Sequence, residues 1–210
     1  MSAGRVPGKR ARKAQETRTR IVDAARALFV ERGYGTTQLQ DIASRAGVAV
    51  QTIYYVFGNK RTLLKELIDV TIAGDDEPVA TMDRPWFRAA MAADTAEGHL
   101  RAHVAGTHQV LSRVAPITAV LATAAAMDPE VAELWQQDED PRFTVHSAAA
   151  SVLMTKPGAR QDVSVETAAD VMFGLLSPEL YLVFVRDRGW SPERWEQWTR
   201  TTLLSQLCSA

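Results

Sequence analysis

The stretch Thr36–Leu64, TTQLQDIASRAGVAVQTIYYVFGNKRTLL, constrains this chain most: two short helical patterns joined at a glycine run directly into a third. Leu39, Ile42, Ala43 and Ala46 fall on one helical face. Thr37 is expected to cap that helix, with Gln40 completing a T-x-x-Q capping box. Gly47 stands where a helix end calls for left-handed backbone, and Val48 follows at the corner. In Val50–Phe57, Ile53 and Phe57 lie four apart and point inward, which leaves Gln51, Tyr54 and Tyr55 on the other side. A polar and aromatic face opposite a buried one suits a helix laid in the major groove of double-stranded DNA. Asn59 offers the cap of the third helix, and Lys60 in its first turn is placed to hold a phosphate. Leu63, Leu64, Leu67 and Ile68 form that helix's buried stripe.

The pattern T-x-x-x-I-A-x-x-A-G-V followed by T-[IL]-Y-x-x-F-x-[NS]-K-x-x-L-L resembles the DNA-binding domain of TetR-type (TetR/AcrR) transcriptional regulators, over Arg18–Ile68. The resemblance implies DNA contacts at Thr37, Gln38, Gln51, Thr52, Tyr54, Tyr55 and Lys60. Two positions depart from it: Ala49 replaces the usual Ser or Thr, and Val56 a frequent His. Ala49 lacks a capping oxygen, a loss of about 1 kcal/mol against Ser. Ala49 and Val50 instead offer methyl groups to thymine. The resemblance also implies a homodimer on a palindromic operator, and a repressor released by a small apolar or amphipathic effector.

Charge supports a division of labour. Residues 1–61 hold 12 Lys and Arg against 4 Asp and Glu, which leaves 12 against 21 in the rest of a chain carrying 24 and 25 in all. A basic module joined to an acidic one predicts that only the first meets a polyanion. The single cysteine, Cys208, excludes an internal disulfide framework and fits a reducing compartment. No run of the sequence reads as a membrane span, and no hydrophobic segment follows the basic N-terminal residues. A cytoplasmic protein without a membrane partner is expected.

Read in order, residues 1–17 form a basic arm expected to be disordered, residues 18–74 the DNA-binding domain with its connecting helix, and residues 75–210 a helical ligand-binding and dimerisation domain. The fold class is therefore all-α, an N-terminal three-helix domain with a helix-turn-helix followed by a larger helical domain. Helices are predicted over Arg18–Arg32, Arg84–Ala92, Thr95–Val114, Pro116–Ala126, Pro129 to about Thr155, Ser164–Asp187 and Pro192–Leu207. A break or bend is expected near Asp140, ahead of Pro141. At Ser177-Pro178 the sequence fits either one bent helix or two end to end. Tyr181, Phe184, Trp195 and Trp198 load the final hairpin with apolar surface and are candidates for the dimer interface, unless that surface packs within one chain.

Bulky residues of the second domain interleave with histidines. Trp86, His99, His103, Met127, Trp135, Phe143, Met172 and Phe173 are the candidate effector-binding set, since apolar walls with a few polar anchors make a small-molecule site. His99 and His103 share a helical face, but Leu100-Arg101-Ala102 between them lacks the glutamate of a zinc-protease motif. A metal-responsive regulator using that face, with His108 and His146 as further ligands, is one alternative. A DNA-associated architectural protein without a ligand is another. No Ser-His-acid spacing, phosphate loop or paired carboxylate motif is present, so neither a catalytic residue, a bound metal nor a cofactor is expected.

Overall fold

The computed structural model describes residues 8–73, 79–135 and 140–209, all helical or irregular, with no strand among them. Eleven helices are described: α1 Lys9–Arg32, α2 Leu39–Ala46, α3 Val50–Phe57, α4 Lys60–Ala73, α5 Pro85–Ala92, α6 Ala96–Met127, α7 Pro129–Trp135, α8 Pro141–Leu153, α9 Val165–Leu175, α10 Pro178–Leu182 and α11 Pro192–Leu207. They divide into two compact units, Met1–Val70 with Val120–Trp135, and Thr71–Ala119 with Gln136–Ala210. The first seven arm residues, the expected domain boundary at 74–78, most of the acidic run before Pro141 and the side chain of Trp135 lie outside the described residues.

In the first unit, α1 buries Ile21, Val22, Ala25, Leu28 and Phe29 and packs against α2. Every apolar residue assigned to those stripes is buried: Leu39, Ile42, Ala43 and Ala46, then Ile53 and Phe57, then Leu63, Leu64, Leu67 and Ile68. Removal of this surface from water is the driving force for so small a unit. Gly47 takes φ 64° and ψ 42°, the left-handed conformation that ends α2 and that a side chain would disfavour. Asn59 caps α4, its Oδ1 accepting from the Thr62 backbone N–H at 2.9 Å.

Two expectations about α1 and α2 are corrected. Lys9–Thr17, expected to belong to a disordered arm, continues α1 as helix. Arg12 and Glu16 are paired one turn apart there, at 3.6 Å. The cap of α2 is Gln38, one residue later than expected, and its box partner is Asp41, whose Oδ2 accepts from the Gln38 N–H at 3.0 Å. Thr37 is instead fully buried, its hydroxyl donating to the Gly33 carbonyl at 2.8 Å.

The second unit is built on Leu100, Val104 and Leu111 of α6, Ala149, Ala150 and Leu153 of α8, Ala168 and Met172 of α9, and Trp195, Leu203 and Leu207 of α11. The break expected at Pro116 does not occur, because α6 runs through it. An interior proline costs about 3 kcal/mol. Burial of Ala115, Ile117, Val120 and Leu121 around it offsets that cost. Both later prolines start new helices instead of bending old ones. Asp140 caps α8 ahead of Pro141, and Ser177 caps α10 ahead of Pro178. By length and composition α6 and the run Val165–Asp187 reach what a membrane span needs, contrary to the sequence expectation. In α6 the apolar content that reaches this threshold includes the core residues Leu100, Val104, Leu111, Ala115 and Ile117.

Candidate nucleic-acid interface

On α3 the inward pair Ile53 and Phe57 fixes which way every other side chain points. Tyr55 is 91% exposed and Tyr54 51% exposed, with Gln51 and Ala49 also exposed and Val50 and Thr52 half-buried. Two large aromatic side chains held in water by a short, well-anchored helix contribute nothing to the core, and they present donors and ring faces to a partner. Gln38, exposed at the start of α2, lies on the same helix-turn-helix. Thr37 is not part of the exposed surface, because it is buried and its hydroxyl is bound inside the unit.

Lys60 is also placed differently from the sequence expectation. Its Nζ donates to the carbonyls of Tyr34 and Thr37, at 2.7 and 2.8 Å, and lies 4.2 Å from the centre of the Tyr34 ring. The ammonium ties the start of α4 to the α1–α2 connection, and burial pulls its pKa below the ordinary lysine value. The ammonium thus acts as a strut here, where the sequence places it to hold a phosphate. The Arg18 guanidinium stacks over Phe57 and pairs with Glu66 at 2.7 Å, which joins α1 to both α3 and α4.

Sequence reasoning missed a second clamp in this unit. Arg61 of α4 donates from Nε to Asp128 at 2.9 Å and from Nη1 to Glu130, in the turn between α6 and α7. The Arg61 guanidinium holds the Asp128 carboxyl below its ordinary pKa. Such a partnership between residues 67 apart leaves no local signal. Met127, proposed from sequence for the effector site, sits here instead, 68% exposed and close to Gly35. A β-carbon on Gly35 would meet its methyl group at 3.2 Å.

Trp135 also falls in the first unit, and the other six candidates fall in the second, where the structure brings most of them together. Ring centroids run Trp86 to His103 at 5.8 Å, His103 to His146 at 5.4 Å, His146 to Phe173 at 6.3 Å and Phe173 to Phe143 at 5.6 Å, and His99 is stacked 6.1 Å from His103. Met172 is wholly buried in the core of the same unit. His146 is central to this row, and its Nδ1 lies 3.2 Å from His103 Nε2. Among the described residues no group of three or more His, Cys, Asp or Glu is arranged to hold a metal ion.

Burial holds all three imidazoles neutral. It pushes His99 and His146 down to about 4, with help from the Lys156 charge on the first and Arg142 on the second, and it takes His103 well below its ordinary 6.5. A base whose folded pKa is depressed gives stability that is complete above the unfolded value and is lost as pH falls, since the unfolded chain takes up protons first. Unfolding free energy is therefore expected to drop between pH 6.5 and 4, each histidine adding up to about 1.4 kcal/mol per pH unit to the slope. Urea midpoints across that range check this, and a slope unchanged in His103→Leu would contradict it.

Tyr181 and Trp195 correct the interface expectation. Both are buried within the single chain, with ring centroids 4.9 Å apart, and they belong to its own core. Phe184 and Trp198 stay half-buried, packed on each other and on Trp190 at 4.7 and 4.5 Å from the Phe184 ring.

A glycine-ended helix, a tight corner and a second helix with an outward aromatic face define a helix-turn-helix domain. Residues 21–67 match the family model described as bacterial regulatory proteins, tetR family. The HTH-type transcriptional regulator TtgR of Pseudomonas putida is 48% identical over 56 residues, 27% of each chain. The match thus spans about a quarter of that relative's length. At the level of fold the likeness extends over nearly the whole chain. The fatty acid degradation regulator FadR from Bacillus halodurans superposes with a TM-score of 0.66 at 22% identity, covering 95% of this chain and 97% of its own. The SmeT–triclosan complex gives 0.67 at 19% identity, covering 92% of each chain.

Proposed function

We propose that the chain is a sequence-specific, DNA-binding transcriptional regulator that acts in the bacterial cytoplasm, most simply as a repressor released from its operator by a small molecule. The observation that carries this reading is α3: a helix anchored by Ile53 and Phe57 that holds Gln51, Tyr54 and Tyr55 in solvent inside a tetR-family domain. Gln38, Ala49, Val50 and Thr52 complete the surface offered to the groove. A homodimer built on the face of Phe184 and Trp198 would place two such helices on a palindromic operator, with half-sites about one helical turn of DNA apart.

Release by an effector is supported by two features. A triclosan complex is known for a protein of the same fold, and here the second unit joins Trp86, His99, His103, Phe143 and Phe173 in one aromatic row, with Met172 in the core of the same unit. The helix that bears His99 and His103 is also the helix whose last residues belong to the first unit, ahead of Asp128 and its bond to Arg61. Displacement of α6 by a ligand would act on α4 through that clamp and shift the recognition helices. Neither an architectural protein nor a metal sensor needs this arrangement.

Selection of genomic fragments by the purified protein tests the proposal. The expected result is enrichment of one short palindrome over bulk DNA, by the factor of 10³ or more typical of specific regulators. Uniform binding of all fragments would favour the architectural reading.

A further inference from the structure

His99, His103 and Thr107 succeed one another at four-residue steps along one face of α6, and all three are buried in the second unit. Both nitrogens of His99, Nδ1 of His103 and Oγ1 of Thr107 meet no hydrogen-bond partner among the described residues. Buried polar atoms in folded proteins are nearly always paired, so a run of them on consecutive turns of one helix calls for an explanation. A neutral imidazole carries one donor and one acceptor, and His99 offers both. His103 is tied to His146 by the 3.2 Å contact between Nε2 and Nδ1. Whichever ring gives that proton, His103 Nδ1 is left as a donor or an acceptor, and a hydroxyl group satisfies either.

The surroundings narrow the chemistry further. Lys156 near His99 donates to the Met91 and Ala93 carbonyls, and Arg142 near His146 is paired with Asp140 and Glu179. Both cations are engaged, so neither invites a carboxylate, while a cationic ligand would meet both charges. Trp86 lies flat against α6 at Gly106, where an added β-carbon would come within 2.1 Å of the indole. That glycine lets the half-buried indole close over the row at 5.8 Å from His103. Aromatic rings thus flank a line of hydrogen-bonding atoms whose steps are about 6 Å, the rise of four helical residues.

We infer that His99, His103 and Thr107 are the polar anchors of a binding site for an uncharged, elongated molecule with a flat or aromatic body and hydroxyl or carbonyl groups one to two helical turns apart. The inference deepens the effector reading and rests on it. It departs from an apolar or amphipathic effector, because an apolar molecule would leave every one of these atoms unpaired.

The full-length protein is titrated by calorimetry with three probes of one shape: 4,4′-dihydroxybiphenyl, biphenyl and biphenyl-4,4′-dicarboxylate. The diol is expected to bind at least roughly tenfold tighter than either of the others, since a site built to hydrogen-bond a hydroxyl rejects analogues that lack it. His99→Leu and His103→Leu should each erase the advantage of the diol over biphenyl. His99→Leu should also raise the melting temperature of the free protein, by about 2–4 °C, because it removes unpaired buried nitrogens. A merely structural histidine would lower it. Equal binding of biphenyl, tighter binding of the dicarboxylate, binding of none of the three, or a lowered melting temperature in His99→Leu overturns the inference. Operator affinity with each probe separates the two levels. Release by biphenyl or the dicarboxylate alone would keep the effector reading and sink this one. Histidine-dependent binding of the diol without any change in operator affinity would keep this one and sink the effector reading.

Discussion

Trp195→Ala should unfold the second unit under conditions in which the native protein is stable, with a loss of about 3–5 kcal/mol. The indole is fully buried, edge-on to Tyr181 and 6.0 Å from the His108 ring, in a core that also takes Leu203 and Leu207 from the same helix. Truncation removes the transfer free energy of a large ring and leaves a cavity that α6 and α11 cannot close. Trp195→Phe is the informative companion. It keeps most of the apolar area and removes an indole N–H that has no partner among the described residues, so it should cost less than about 1.5 kcal/mol. Urea unfolding followed by circular dichroism measures both. Trp198→Glu should behave differently. Trp198 is only half-buried beside Phe184, and its charge should act on the oligomeric state at micromolar concentration more than on the fold of the monomer. A Trp195→Ala protein of native stability that sediments as a monomer would restore Trp195 to the interface.

Lys60→Met is expected to cost the first unit about 2–3 kcal/mol while leaving the salt dependence of DNA binding unchanged. The thioether keeps the length of the stem but loses two charge-assisted hydrogen bonds and the cation over Tyr34. Partial exposure of the site keeps that sum near the value of a single strong pair. Were the ammonium instead a phosphate contact, stability would scarcely change, and the slope of log affinity against log salt would fall by about 0.9. The two outcomes separate cleanly in one variant. Arg61→Met offers a parallel, since its loss frees Asp128 and Glu130 and should weaken communication from α6 before it weakens the fold.

The difference between what the residues disclosed and what they concealed follows the range of the interaction. Periodicity fixed the inward stripes of α2, α3 and α4, and Gly47 marked its own left-handed turn, because each depends on neighbours within one or two turns. The cap of α2 was misplaced by one residue because T-x-x-Q and Q-x-x-D overlap at Thr37–Asp41, and only the packing of Thr37 under α1 decides between them. Continuity of α6 through Pro116 depends on burial that no local rule contains. Lys60 was read from its place in a first turn, whereas its actual partners are the carbonyls of residues 23 and 26 positions earlier. The candidate effector residues were half legible. Composition pointed to the aromatic and histidine content, but the row needs His146, 43 residues from His103, and Met127 and Trp135 fall in the other unit.

A recognition role for α3 is tested most directly by Gln51→Ala. Gln51 is exposed on the outward face of α3, and this substitution removes its amide without touching the buried pair Ile53 and Phe57. Affinities of the native protein and Gln51→Ala are measured at fixed salt for the selected palindrome and for every single-base variant of one half-site. Discrimination is expected to fall by about 1–3 kcal/mol at one base pair and to be retained at the others, with the salt slope unaltered. A uniform loss at all positions, or no loss at any, would contradict a base-reading role for this helix.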